Sequence, residues 1–359
     1  MSARNLRVAE DIGAEVISPL VDERRISLPA NATECCFSND GSICAVAMGD
    51  GALALVDPFA EADEAPLTVD LHRIAAVAIR PLGDGFVSAG HDGRVVTFFG
   101  ADRESATEIC AFPDRWIESL AVHEDTGRIA VAAGDAVAVF DRDGASLARF
   151  PSTPGTISGI AIDHTGNRIA ASHYNGVTIF NLETGAGDLA LEWKGSHIGV
   201  SWSPNGRFLV TATQEKELHI WDLVTMQDFR MGGYPRKIHQ MSWTAGSEIM
   251  GCSGADVVTA WSFAGAGPGR RPPVEIGFVF GGNVTAVAAH PSRSLFAGGF
   301  SSGNVLVGAT RKGEAIVARG HTGTPVTTLA WSPDGKRFAA ADGAGLLSLF
   351  TIPDELRVI

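Results

Sequence analysis

Histidines and cysteines offer this sequence its widest chemistry, as metal ligands, general bases or nucleophiles. The ten histidines, at 72, 91, 123, 164, 173, 197, 219, 239, 290 and 321, never fall within five residues of one another. A compact metal site needs such pairs, so that one turn presents both ligands. Cys35, Cys36 and Cys44 cluster, but with Cys110 and Cys252 they make an odd number and no CxxC pattern. Small buried thiols in a reduced, cytoplasmic setting are the expected reading. No GxSxG, HExxH or GxxxxGKS/T segment occurs, and no GxGxxG leads from a strand into a helix. No catalytic, cofactor or metal residue is therefore assigned.

Composition narrows the classes further. The 359 residues carry 28 basic against 41 acidic side chains, a net charge of −13. Binding to a phosphate backbone rests on clustered Lys and Arg, so nucleic acid is not expected as the partner. At 45% hydrophobic and 19% charged the chain suits a well-buried globular protein. No apolar run reaches the roughly 18 residues of a membrane span, and residues 1–16 lack a signal-peptide core, so no membrane association is expected. Forty-two glycines imply many tight turns between short strands.

Those strands repeat. The segment VSWSPNGRFLVTATQEKELHIWD around Trp202 and LAWSPDGKRFAAADGAGLLSLF around Trp331 share one scheme of apolar run, turn, apolar run, turn, apolar run. The residue before the first turn recurs at Phe37, Ile79, Val122, Ile162, Trp202, Trp243, Ala289 and Trp331, spaced 42, 43, 40, 40, 41, 46 and 42 apart. One position earlier stand Cys36, Ala78, Ala121, Ala161, Ser201, Ser242, Ala288 and Ala330, all small. Thirteen positions later stand Asp50, Asp92, Asp135, Asn175, Glu215, Asp256, Ser302 and Ala344, where a turn between second and third strands is expected. A period near 42 is that of a four-stranded propeller blade.

The chain resembles the WD40-repeat family of β-propellers in Trp221-Asp222, in the turns Ser203-Pro204-Asn205-Gly206 and Ser332-Pro333-Asp334-Gly335, and in Gly320-His321. Only one unit has the WD pair and one the Gly-His pair, and no complete His–Ser/Thr–Trp–Asp hydrogen-bond set is legible. The expected fold is all-β: a single closed propeller over residues 20–359, with an N-terminal extension over 1–19. Fourth strands are expected at Leu67–Leu71, Thr107–Phe112, Ser146–Phe150, Asp188–Trp193, Gln227–Met231, Val274–Phe280 and Glu314–Arg319. The last unit lacks one, and Arg24–Leu28 is expected to complete it, joining the two ends. Eight units imply eight blades; seven, commoner in the family, is the alternative.

The resemblance implies a non-catalytic scaffold binding a protein or peptide on one rim. That rim is built from the loops into each first strand and the turns between second and third strands. By position it holds Arg73, Arg115, Trp116, His197, Tyr234, Arg236 and Lys237, joined at the turns by His91, His173, Tyr174 and Lys216. Basic and aromatic side chains of this kind are enriched at interface hot spots. The expected partner is acidic or amphipathic. The alternative is a propeller enzyme, or a metal- or ligand-binding protein, with its site at the central funnel and using His91 and His173. The insert Ser262–Pro273, with Arg270 and Arg271, is expected on the opposite face as a plain loop.

Overall fold

A computed structural model describes residues 22–352 apart from 62–63, 100–105, 247, 270 and 312. The expected extension over 1–19 lies outside the described residues. One three-residue 3-10 turn aside, every regular element among them is a strand. No helix among them is long and apolar enough to cross a membrane.

All strand pairings are antiparallel between sequence neighbours, except where the chain ends meet. There are six four-stranded sheets and one of six strands. The six-stranded sheet contains two repeats, because Arg168–Asn181 and Ala186–Trp202 are long strands that each bend. The first turns back at Asn175 (φ 68°) and Gly176 (φ 145°), the Asn-Gly turn expected from sequence. Leu182 N–H then donates to Asn167 C=O at 2.9 Å, closing a hairpin. In the second, residues 186–192 pair with that hairpin and 197–202 pair with Phe208–Thr213, with Gly195 between them at φ 136°. The eight repeats are thus eight four-stranded units in seven hydrogen-bonded sheets.

The packing confirms that count. Among the described residues, eight buried apolar clusters each fill the gap between successive units, from Ala45, Leu53, Ile79 and Phe86 between units 1 and 2 to Ala286, Val307, Phe338 and Phe350 between units 7 and 8. Both faces of each sheet are covered, which is why the second and third strands are apolar at consecutive positions: Cys44–Met48, Phe208–Thr213 and Leu295–Phe300 are buried throughout.

Each first strand lies innermost and is tied to its neighbours by side chains. Thr33, Thr285 and Thr327 hydroxyls donate across to Ala76, Val326 and Ala32 carbonyls at 2.6, 2.7 and 2.9 Å. The indoles of Trp202 and Trp331 donate back to Ala161 and Ala288 carbonyls at 3.2 and 3.0 Å, and that of Trp243 to Ser201 Oγ at 3.0 Å. The residue before the first turn, the reference position of each unit, is therefore where units 5, 6 and 8 grip the one before them. The turn after it is equally regular: Ser38, Ser203 and Ser332 hydroxyls bond Asp40, Asn205 and Asp334 at 2.6, 2.7 and 2.6 Å. Gly335 in that turn has φ +67°, and a Cβ there would strike the His290 ring of the preceding unit.

Fourth strands stand where the sequence placed them, the main difference being Val274–Ile276, which stops short because Gly277 turns to φ +64°. Closure also follows expectation. Asp22–Ser27 pairs antiparallel with Leu346–Thr351, completing unit 8. Ile26, 5% exposed, packs with Val46 and Leu347 in the cluster between units 8 and 1.

Replacing Ile26 by Ala removes apolar contact where the ends of the chain meet and should lower unfolding free energy by about 2–4 kcal/mol in denaturant titration. Unchanged stability would mean that this strand does not hold the ring shut.

Candidate functional site

The histidines divide by burial, and most are structural. His72, unremarked in the sequence, leads from unit 1 into unit 2: its Nδ1 lies 3.1 Å from Asp92 Oδ1 and its Nε2 2.9 Å from Ser88 Oγ. Asp92 Oδ2 also accepts from Arg73 N–H at 2.9 Å. Three members of the family's hydrogen-bond set thus meet in unit 2, with Phe98 in the third strand where unit 5 has Trp221. His197 is fully buried against Thr211 Oγ1 at 2.8 Å and Trp193 C=O at 3.0 Å. His173 is 6% exposed, its ring nitrogens on Tyr174 C=O at 2.8 Å and Thr178 Oγ1 at 2.9 Å. Tyr234 is 8% exposed; its hydroxyl accepts from Trp261 Nε1 at 2.6 Å and meets Cys252 Sγ at 3.1 Å. Expected as rim residues, His173, His197 and Tyr234 instead have their polar atoms engaged inside the blades.

Gly320-His321 also differs from its sequence reading. His321 is exposed, while Arg319 beside it is fully buried. Its Nε donates to Gly303 C=O at 2.9 Å and its Nη1 to Ser348 Oγ at 3.0 Å, with Nη2 3.8 Å from Asp342 Oδ2. Arg319, the last residue of a fourth strand, therefore links unit 7 to unit 8 as His72 links unit 1 to unit 2, but from a different position and through different partners. Ser348 Oγ donates in turn to Glu23 Oε1 at 2.7 Å, so the closing strand is part of this network. In the WD pair, Trp221 is buried and Asp222 accepts two bonds from the Arg207 guanidinium, at 3.2 and 2.7 Å.

The exposed candidates sit on the top rim, defined by the loops into the first strands and the turns between second and third strands. Trp116 is 63% exposed and stacks on His91, ring centroids 5.3 Å apart. Beside it opens a depression of about 620 Å³ lined by Asp114, Arg115, Trp116, Glu118, Asp135 and the loop 153–156. Asp114 helps shape its wall from the left-handed region, at φ 60°. Tyr174, 60% exposed, stands just beyond, its Cβ close to Gly155. Ile74, 53% exposed, precedes Ala75, whose carbonyl accepts from His91 N–H at 3.0 Å. Arg73, Arg236 and Lys237 are exposed as expected.

Arg115 is not a free cation. It donates to Asp135 Oδ1 at 2.9 Å and to Ala133 C=O at 3.1 Å. Its hydrogen bond, with that of Ser152, holds the Asp135 carboxyl below its usual range. The expected single basic patch is thus broken, with Arg236 and Lys237 three units away on unit 6. Arg270 lies outside the described residues, and Arg271 is bound to Ser262 Oγ and Ala264 C=O at 3.3 and 3.1 Å. Among the described residues no three His, Cys, Asp or Glu side chains converge to hold a metal ion.

Two measurements check the buried histidines. His72→Ala should cost about 2 kcal/mol of stability by stranding buried Ser88 and Asp92, whereas His321→Ala should change it by less than about 0.5 kcal/mol. Equal effects would contradict the placement. His219, stacked on Trp193 at 4.0 Å and edge-on to Trp221 at 4.4 Å, is held down to about 4 by burial against its ordinary 6.5, despite the nearby Asp228 carboxylate. The unfolded chain therefore binds the proton first. Stability is full above about 6.5 and falls with pH towards about 4. Burial lowers His72 and His197 in the same direction. His219→Phe should flatten part of that acid slope in denaturant titrations at successive pH values, and an unchanged slope would remove His219 from it.

No curated protein sequence matches this chain. Among solved structures, it is similar to a computationally designed protein, Ika8, at 17% identity and a TM-score of 0.75, covering 91% of this chain and 99% of that one. At that identity the likeness is one of fold. The family model described as WD domain, G-beta repeat matches residues 191–222 and 315–350. The first stretch holds His197, Thr211 and the WD pair; the second holds Arg319, Asp342 and Ser348. With the same unit repeated around the ring, these two matches support a WD40-repeat β-propeller.

Proposed function

We propose that this propeller is a non-catalytic interaction scaffold that binds a protein or peptide partner on its top rim, over units 2 to 4. The observation that carries this reading is Trp116, 63% exposed and stacked on His91 beside an open depression. Burying such a ring at the centre of an interface contributes about 2 kcal/mol, with little ordering cost because its neighbour already fixes it. Ile74 and Tyr174 continue the apolar surface on either side. WD40 propellers generally mediate protein–protein interaction, and a rigid ring suits such a multi-loop platform. The amphipathic partner expected from sequence suits this surface; the acidic one rested on a patch that the Arg115–Asp135 pair divides. A net charge of −13 argues against nucleic acid, and five free cysteines support a reducing, cytoplasmic setting. A funnel enzyme using His91 and His173 has less support, since one stacks on Trp116 and the other has both ring nitrogens engaged.

The test is capture from a lysate of the source cell by three immobilised proteins: wild type, Trp116→Ala with Tyr174→Ala, and Val224→Ser with Met226→Ser. The last pair is 74% and 59% exposed on the opposite face. The rim variant should lose the wild type's captured protein at an unchanged melting temperature, and the opposite-face variant should keep it. The reverse pattern would move the site to the other face.

A further inference from the structure

The charge around Trp116 says what kind of side chain the depression fits. Its lining includes three carboxylates, Asp114, Glu118 and Asp135, and one guanidinium, Arg115. Arg115 and Asp135 are bonded to one another, so Asp114 and Glu118, both exposed, are left to set the sign of the opening. The wall between them is an indole, whose face attracts cations. Thr156 adds a hydroxyl on the unit 4 side, whereas that of Thr153 is donated to the Asp135 and Gly155 carbonyls at 3.3 and 2.6 Å.

We infer that this depression takes a basic side chain, an arginine or lysine of an extended partner segment, laid against Trp116 and paired with Asp114 and Glu118. The inference rests on the rim reading above and gives its partner a local charge. An acidic side chain is disfavoured there, because it would meet two carboxylates with the nearest guanidinium already engaged. An apolar side chain would gain the indole but leave the carboxylates partly desolvated without partners. A cation satisfies both. The stem of Lys or Arg covers apolar surface while its head reaches the carboxylates, so the partner is amphipathic at the scale of one residue. Tyr174 and Ile74, on either side, fit apolar residues flanking that cation.

The experiment follows the indole N–H resonance of Trp116, assigned by its absence from Trp116→Phe, while the full chain is titrated with four probes. These are the N-acetyl N-methylamides of arginine, lysine, leucine and glutamate. Arginine and lysine should move the resonance saturably, leucine and glutamate should not, and added salt should weaken the effect. Asp114→Asn with Glu118→Gln should weaken arginine binding about fivefold, as expected for two exposed ion pairs, with the melting temperature unchanged. Leucine or glutamate binding as tightly as arginine, no response to any probe, or undiminished arginine binding by the carboxylate variant would each overturn the inference. Loss of lysate capture by the Trp116 and Tyr174 variant, beside a silent titration, would leave the rim reading standing and sink this one. Arginine binding beside undiminished capture would do the opposite.

Discussion

Eight innermost strands converge on one axis, and the closeness of that approach governs what the rest of each repeat can be. Side chains one place before the reference position point where neighbouring inner strands crowd together, so Cys36, Ala78, Ala121, Ala161, Ser201, Ser242, Ala288 and Ala330 stay small. Where that column holds serine, the hydroxyl becomes a connector: Ser201 Oγ accepts from Trp243, and Ser242 Oγ accepts from Ala289 N–H at 2.8 Å. Inner strands present an unpaired edge to the channel, and cross-unit bonds of this kind satisfy polar groups while fixing the angle between blades. Larger side chains are displaced outwards, where the clusters between sheets thicken with Phe86, Phe208, Phe296 and Phe338.

The outer strands face a different demand, since each must be joined to the following blade through a layer already dry. Three solutions occur. His72 bridges Ser88 and Asp92; His197 bridges Thr211 and the Trp193 carbonyl; Arg319 bridges Ser348 and the Gly303 carbonyl. The chemistry and the partner positions differ, and the three are equivalent only in placing two polar atoms on one buried side chain at a unit boundary. Buried groups of this kind are costly when half satisfied and specifying when satisfied.

This equivalence explains what the sequence disclosed and what it hid. Repeat number, turn positions and the fourth strands were legible because they depend on local pattern: the small column, Asp-Gly and Asn-Gly turns, and apolar runs of fixed length. Ring closure by the N-terminal strand followed from counting strands. The bridging residues were harder to see. His72 stands seven residues before its reference position and His197 five, so no fixed column collects them, and Arg319 stands just before the Gly-His pair that draws the eye in the sequence. At the rim, residue type marked Trp116 and Tyr174 correctly as exposed, but Tyr234 has the same character and is buried. Charge misled in another way: Arg115 counts as a cation in a linear reading, and only the fold brings Asp135, twenty residues later, against it.

The hybrid last blade also sets an order on events in time. Ile26 pairs with Leu347, so the contact that shuts the ring joins segments more than three hundred residues apart. The entropy of closing so long a loop grows only logarithmically, and seven preceding units shorten the effective distance once they have stacked. Until Leu346–Thr351 has been made, however, Asp22–Ser27 has no neighbour, and unit 8 offers an open strand edge. A chain caught at that stage is an arc with two complementary ends, and the first strand of one copy can complete the last blade of another. The same joint that makes the finished ring edgeless therefore makes its unfinished form prone to exchange and association, and rapid stacking of the local units is what keeps the two ends of one molecule closer than those of two.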